Sequence, residues 1–521
     1  MQKTPGSTVD KFVFWVAVVI SASLVTGGSL WPQAVGKASQ ALLDIIIDSF
    51  GWSFVLSTAF FLVFALFLAF SRFGRIKLGK DDEQPEFCTS SWIAMMFSVG
   101  MGIGLMFWGV AEPITHFTTL PEGVAQPHSR EAARVAMGYA YFHWAFHPWA
   151  IYAIVGLVMA YFSFRKGLPN LISSAFTPLI GEAGVRGPLG KSIDVLAVLA
   201  TLFGTATSLG LGAQQINSGL NYLWHTGESN SIALTIIVVM TVLFILSAIS
   251  GVGKGVQFLS NLNMVVAVLL LLFLAAVGPT VFIVNTLVAS MGEYLQELVP
   301  MSFRTAAFSD GKWLAGWTIF YWAWWLSWAP FVGTFIARIS RGRTIREFVI
   351  GVIFILSGVT MVWFAIMGGS ALFSELAGAG GIAAAVKDQG PAVALFMLLA
   401  QYPAAALTSF AAILLVGVFF ISGADAGAIV MGMLCARGSL KPPCWLVALW
   451  GTLASAAASV LLIMGGLGAL QTAAIIFAAP FLLVMVGLCV SLWKALRQDR
   501  QAGPAYNSPA ILRNPAPAAS D

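Results

Sequence analysis

Between Trp317 and Pro330 the chain carries Trp322, Trp324, Trp325 and Trp328 inside an apolar run. Trp322, Trp325 and Trp328 are three apart, hence roughly on one helix face, with Trp324 beside them and a ladder-breaking proline following. Tryptophans that anchor a helix at a membrane surface collect at its ends; these lie deep. Clustered π faces suit a quaternary ammonium, which has no N–H and cannot be held by ordinary hydrogen bonds. A second set lies in His143-Trp144-Ala145-Phe146-His147-Pro148-Trp149-Ala150-Ile151-Tyr152, where Trp149 and Tyr152 are three apart and Pro148 can kink the helix toward Trp144. Core packing accounts for such a stripe equally well.

Gly100, Gly102 and Gly104 alternate within a third apolar stretch. That is not the spacing that packs helix faces; it weakens a helix and lets backbone approach a ligand, as in the broken helices of transporters. His143 and His147 have the i, i+4 spacing of metal ligands, but no acidic or cysteine partner follows them in sequence, which favours hydrogen-bonded packing. Asp194 and Asp425 fall within apolar runs, where an ionisable group is a functional candidate, although pairing with Arg or capping a broken helix explains them too.

The elements that must position these residues follow from composition. Of 521 residues, 59% are hydrophobic and 9% charged, too few charges for a soluble surface. Unpaired backbone is so costly in hydrocarbon that only helices or closed barrels span it, and these runs are too long for barrel strands. The expected fold is an all-α polytopic membrane protein with twelve spans. They lie near 12–31, 51–71, 91–111, 133–162, 190–220, 231–250, 257–285, 313–337, 345–373, 403–434, 444–466 and 470–496. With both termini cytoplasmic, 21 of the 27 Lys and Arg residues fall on the inner side, as the distribution of basic residues requires. They form no nucleic-acid-sized patch. The segment 286–300, with Glu293 and Glu297, reads as an interfacial helix. The first run is long enough to be a retained helix rather than a signal peptide. The four cysteines show no CxxC pairing, so neither a disulfide framework nor a metal site is expected.

These stretches together resemble the betaine/carnitine/choline transporter family. Gly100-Met101-Gly102-Ile103-Gly104-Leu105-Met106-Phe107-Trp108-Gly109-Val110-Ala111-Glu112-Pro113 is similar to its third-helix motif. The run from Trp317 through Phe331-Val332-Gly333 to Ala337-Arg338-Ile339-Ser340-Arg341-Gly342-Arg343-Thr344 is similar to its eighth-helix motif and following basic loop. The resemblance implies a short N-terminal segment (1–11), a transporter domain (12–497) and a disordered tail (498–521). It also implies a LeuT-like inverted repeat, spans three to seven against eight to twelve, behind two extra helices. A homotrimer in a bacterial inner membrane is implied as well.

By position, the family's aromatic box falls on Trp144, Trp149, Tyr152 and Trp325, with Trp324 and Trp328 lining the path and Gly100, Gly102 and Gly104 beside it. One implied sodium site uses backbone oxygens of Ser98, Met101 and Phe419 with hydroxyls at Ser422 and the next position, which here is Gly423. A second uses Thr201 and Thr205 with Phe331. Choline carriers of the family tend to have Asp where this chain has Gly104, which sides with a carboxylate-bearing substrate. The implied function is import of a quaternary ammonium osmoprotectant by alternating access. Glycine betaine comes first, with choline or carnitine as further substrates, sodium symport as the coupling and no other cofactor. A sodium-independent exchanger and a proton-coupled choline carrier are the alternatives. An enzyme is disfavoured because no nucleophile–base pair stands out; a channel or sensor remains a rival from another class.

Overall fold

Proline and glycine positions cut the apolar chain into helices. The computed structural model describes residues 9–100, 102–250, 253–378 and 380–501. In order, its helices begin with α1 (Lys11–Leu30), α2 (Pro32–Phe70), α3 (Thr89–Gly100), α4 (Ile103–Thr118), α5 (Arg130–Trp144), α6 (Phe146–Ala160) and α7 (Thr177–Arg186). They continue with α8 (Pro188–Trp224), α9 (Asn230–Ser250), α10 (Gly253–Val277), α11 (Thr280–Ser302), α12 (Lys312–Leu314), α13 (Phe320–Ile339) and α14 (Ile345–Val349). The last are α15 (Leu356–Leu376), α16 (Ile382–Gln389), α17 (Ala394–Leu399), α18 (Ala405–Cys435) and α19 (Cys444–Gln501). Among the described residues there is no β-strand, only an isolated bridge between Lys77 and Thr344.

The chain is an all-α polytopic membrane protein. Among the described residues, eight helices are long and apolar enough to cross a membrane, and the bent pair α10–α11 makes a ninth if taken as one span. The other expected runs are helical but interrupted. The chain breaks between α3 and α4, a π-helical turn at Ala315–Ile319 joins α12 to α13, and α19 doubles back. The reversal lies at Gly465 (φ −173°, ψ 21°) and Gly466 (φ 59°, ψ −136°), the second a backbone state open chiefly to glycine. Trp445, at the start of α19, packs 5.7 Å from Phe14, and Trp493, near its end, 5.4 Å from Phe73. Both ends of α19 therefore return to one rim.

Four boundaries differ from expectation. α2 starts at Pro32 rather than near 51, because nothing between them breaks a helix and a proline suits its first turn. The seventh run ends at Val277, where Gly278-Pro279 turns the chain by 108° into α11; proline lacks the N–H to continue and restricts the residue before it. The interfacial helix thus covers Thr280–Ser302, longer than the expected 286–300. The last helix reaches Gln501, past the expected tail boundary, and residues 502–521 lie outside the described set.

Five of the seven segments whose basic residues were assigned to one side are joined by ion pairs on one rim. Asp10 bonds Lys191 at 3.2 Å, Arg165 bonds Asp81 at 2.7 Å and lies 3.7 Å from Asp499, and Arg338 bonds Glu86 at 3.0 Å. Inside the bundle, α6 crosses α13 almost backbone to backbone: a Cβ added to Gly333 would lie 2.6 Å from Val155 Cβ and 3.0 Å from Gly156 N. Small residues at a crossing let two membrane helices approach this closely, and the approach sets the aromatic stretches of spans four and eight side by side.

Candidate functional site

Pro148 shapes the site. It offers no N–H to the Trp144 carbonyl and its ring would strike that carbonyl, so α5 stops at Trp144 and α6 starts at Phe146, with Ala145 between them at φ −104°, ψ −115°. The freed Phe146 N–H donates to the Tyr294 hydroxyl of α11 at 3.3 Å. The second break lies at Gly102, extended at φ −155°, ψ −167°, from which α4 starts with no side-chain cap.

Between the two breaks and α13 lies a cavity of about 500 Å³, its mouth included. Trp144, Trp149, Tyr152, Trp324, Trp325 and Trp328 all line it, facing Gly102 and Gly104. Six aromatic positions named from sequence thus meet around one space. Trp324 and Trp325 stack at 4.8 Å and 17°, and Trp144 stands edge-on to Trp325 at 4.8 Å and 72°. Tyr152 is 6.2 Å from Trp325 and 5.7 Å from Trp149. Four indole N–H groups are bonded within the protein. Trp144 donates to Glu112 Oε2 at 2.6 Å, Trp325 to His143 O at 3.0 Å, Trp324 to Ser208 Oγ at 3.3 Å and Trp328 to Gly204 O at 3.0 Å. Those rings are fixed by their edges. Gly104 has no room for a side chain, since a Cβ would sit 2.9 Å from both Trp144 Cη2 and Trp324 Cη2, whereas a Cβ on Gly102 meets nothing within 4 Å.

Trp322 does not join this set. It stacks on His147 at 5.3 Å and 23° and packs against Phe142. A helix turns about 100° per residue, so each three-residue step drifts by about 60°, and Trp322 ends well away from Trp328. His147 is a packing residue bonded to Ser302 Oγ at 3.0 Å. Asp194 caps a short turn, accepting from Ser173 N at 2.9 Å and Ser173 Oγ at 2.6 Å. Asp425 is half-buried on α18 and makes no ion pair among the described residues.

The sodium-site residues are placed in part. Ser98 and Gly100 lie at the end of α3, where side chains are outside the described set, and Met101 lies outside it altogether. On α18 the Ser422 hydroxyl donates to Phe419 O at 3.3 Å, and a Cβ on Gly423 would meet nothing within 4 Å. On α8 the Thr201 hydroxyl donates to Ala197 O at 2.8 Å, and Thr205 Oγ1 faces Gly427 of α18. Phe331 reaches this neighbourhood through Trp328, 5.7 Å from it, which bonds Gly204 between the two threonines.

Sequence reasoning passed over Glu112. Fully buried on α4, it binds four groups: Trp144, the Tyr321 hydroxyl at 2.5 Å, His143 Nδ1 at 2.7 Å and His116 Nε2 at 3.2 Å. The acidic partner that His143 lacks nearby in sequence comes from another span. The only signal was an ionisable residue inside an apolar motif.

The sequence matches the profile of betaine/carnitine/choline family transporters over residues 12–501. The chain belongs to this family. The family is one of transporters, not enzymes. Glycine betaine transporter OpuD of Bacillus subtilis is 49% identical over 492 residues, 94% of this chain and 95% of its own length. A glycine betaine transporter of Acinetobacter baylyi is 42% identical over 98% of this chain and 78% of its own. An ectoine/hydroxyectoine transporter of Virgibacillus pantothenticus is 41% identical over 95% and 98%. In a betaine/carnitine/choline family transporter, the aromatic cavity is the natural place to look for the substrate.

Proposed function

We propose that this transporter carries glycine betaine across a bacterial inner membrane by alternating access, driven by sodium. The observation that carries the reading is the cavity walled by Trp144, Trp149, Tyr152, Trp324, Trp325 and Trp328. Its π faces suit a trimethylammonium head. The carboxylate of the same substrate fits the start of α4 at Gly102, where a helix begins with unbonded N–H groups and a positive dipole end. Gly104 favours that arrangement because an acidic side chain there would both collide with two rings and repel the carboxylate. Betaine-named relatives agree with this choice. The ectoine-named relative supports a second substrate, since a delocalised cation bearing a carboxylate meets the same two requirements.

The proposed assembly is a homotrimer with cytoplasmic termini, the rim of ion pairs facing inward and spans three to seven repeating eight to twelve with inverted topology. Sodium enters as co-substrate. One ion would sit on backbone oxygens at Ser98, Met101 and Phe419 with the Ser422 hydroxyl, and another near Thr201, Thr205 and Phe331. The Thr201 and Ser422 hydroxyls each point their proton at a backbone carbonyl, leaving lone pairs for a cation.

Labelled betaine counterflow in proteoliposomes tests the substrate; its absence at confirmed incorporation refutes carriage. Net uptake with potassium in place of sodium tests the coupling. The expected result is loss of uptake, with Gly423→Ser lowering the sodium requirement, since the added hydroxyl fits open space. Undiminished uptake without sodium, proton gradient or internal substrate overturns sodium coupling. Uptake only into preloaded vesicles identifies an exchanger.

A further inference from the structure

Glu112, His116 and His143 form a buried cluster that does not itself line the cavity. All three are fully buried, and their nearest ligand atoms lie within 4.8 Å of one another. Buried carboxylates ordinarily face a fixed cation; no Lys or Arg bonds this one among the described residues. The titratable groups facing it are His116 from its own helix, His143 and Tyr139 from α5, and Tyr321 from α13. Trp313 and Trp317 cover His116, and Arg304 and Glu297 act only from beyond Tyr139. The cluster's charge is therefore set by how many protons it holds.

Its hydrogen bonds accommodate two proton counts. Glu112 Oε2 accepts from both Trp144 and Tyr321, so it carries no proton. Oε1 faces His143 Nδ1 and His116 Nε2 and accepts from each when that nitrogen carries its proton. His143 Nε2 faces Thr318 Oγ1 at 3.0 Å, a contact that works in either direction. With the hydroxyl donating, His143 is neutral and the cluster bears one negative charge. With Nε2 protonated and the hydroxyl accepting, the cluster is neutral and every hydrogen bond survives. A metal ion fits less well: a single carboxylate oxygen 2.7 Å from a ring nitrogen is at hydrogen-bond distance.

We propose that Glu112, His143 and His116 are a proton-binding site whose occupancy is linked to cation binding in the adjacent cavity. The link is short. Trp144, a cavity wall, is bonded directly to Glu112, and Trp325 is bonded to the backbone of His143. A cation entering the cavity stabilises the negatively charged cluster and expels its proton; by reciprocity, the proton weakens cation binding. On binding, one N–H bond of the imidazolium breaks, the proton leaves to water, and the Thr318 hydroxyl turns to donate.

This inference rests on the cavity binding a quaternary ammonium, and the experiment separates the two. Betaine affinity of the full-length protein is measured by tryptophan fluorescence between about pH 5.5 and about pH 8.5, with proton release followed in weak buffer. The expected result is binding about fivefold or more weaker at the acidic end, with a fraction of a proton released per betaine bound. Glu112→Gln removes both effects; Thr318→Val, which keeps the carboxylate, shifts their midpoint. Affinity independent of pH with no proton release overturns the proposal, as does pH dependence that persists unchanged in both variants. If no quaternary ammonium binds, the substrate reading fails instead. The proton site is then judged by infrared titration: a pH-dependent band lost in Glu112→Gln and moved in Thr318→Val supports it, and no such band in the wild type refutes it.

Discussion

Two glycines two residues apart have opposite surroundings, and alanine separates them. Gly104→Ala must displace Trp144 or Trp324 and should lower betaine affinity at least several-fold, whereas Gly102→Ala displaces no protein atom and should lower it less. Equal effects in a binding titration would contradict this geometry. Trp149→Ala and Trp325→Ala each remove a ring face worth about 0.5 to 2 kcal/mol to a bound cation; unchanged affinity in both, at equal expression, would remove the cavity from consideration. Outside the membrane, Cys88 is hydrogen-bonded with Ser90 and Ser91, which lower its thiol to about 7. Its alkylation rate should be half-maximal near that pH, the thiolate being the reactive form, and a midpoint at an ordinary thiol value would contradict it. The six cavity aromatics were legible because each sits in a dense, unusual stretch. Glu112 was not, because its partners Trp144 and Tyr321 are 32 and 209 positions away.

At the scale of elements, the break between α5 and α6 illustrates how local chemistry and tertiary support divide the work. Pro148 made a kink near Trp144 legible from the sequence alone. What heals the break was not, since the donor's partner is Tyr294 on α11, a helix whose role is invisible until it is folded against α5. Tyr294→Phe keeps the ring and leaves the partly buried Phe146 N–H without that partner, a loss of about 0.5 to 1.5 kcal/mol. A thermal transition several degrees lower is expected by scanning fluorimetry, and unaltered melting would show the hydroxyl to be dispensable. Helix ends were the least legible feature. Hydropathy marks where hydrocarbon must be crossed, but α2 starts well before that need because no proline follows Pro32 within it. The alternation of basic connections proved more informative than any single boundary, because it reports on which loops share a rim.

For the whole molecule, the family and the helical fold follow from long motifs and composition, while the packing of α6 on α13 at Gly156 and Gly333 follows from neither alone. Four of the tryptophans that line the cavity spend their N–H groups on the protein itself. The consequence concerns leakage. A surface of ring faces with few oxygens cannot replace the water shell that potassium would have to leave behind, and stripping that shell uncompensated is prohibitively costly. A methylated ammonium is poorly hydrated from the start and gives up little. The same rings that welcome the organic cation would act as an insulating plug against inorganic ones that have no oxygen-lined site of their own, so a membrane crowded with copies of this protein could keep its voltage.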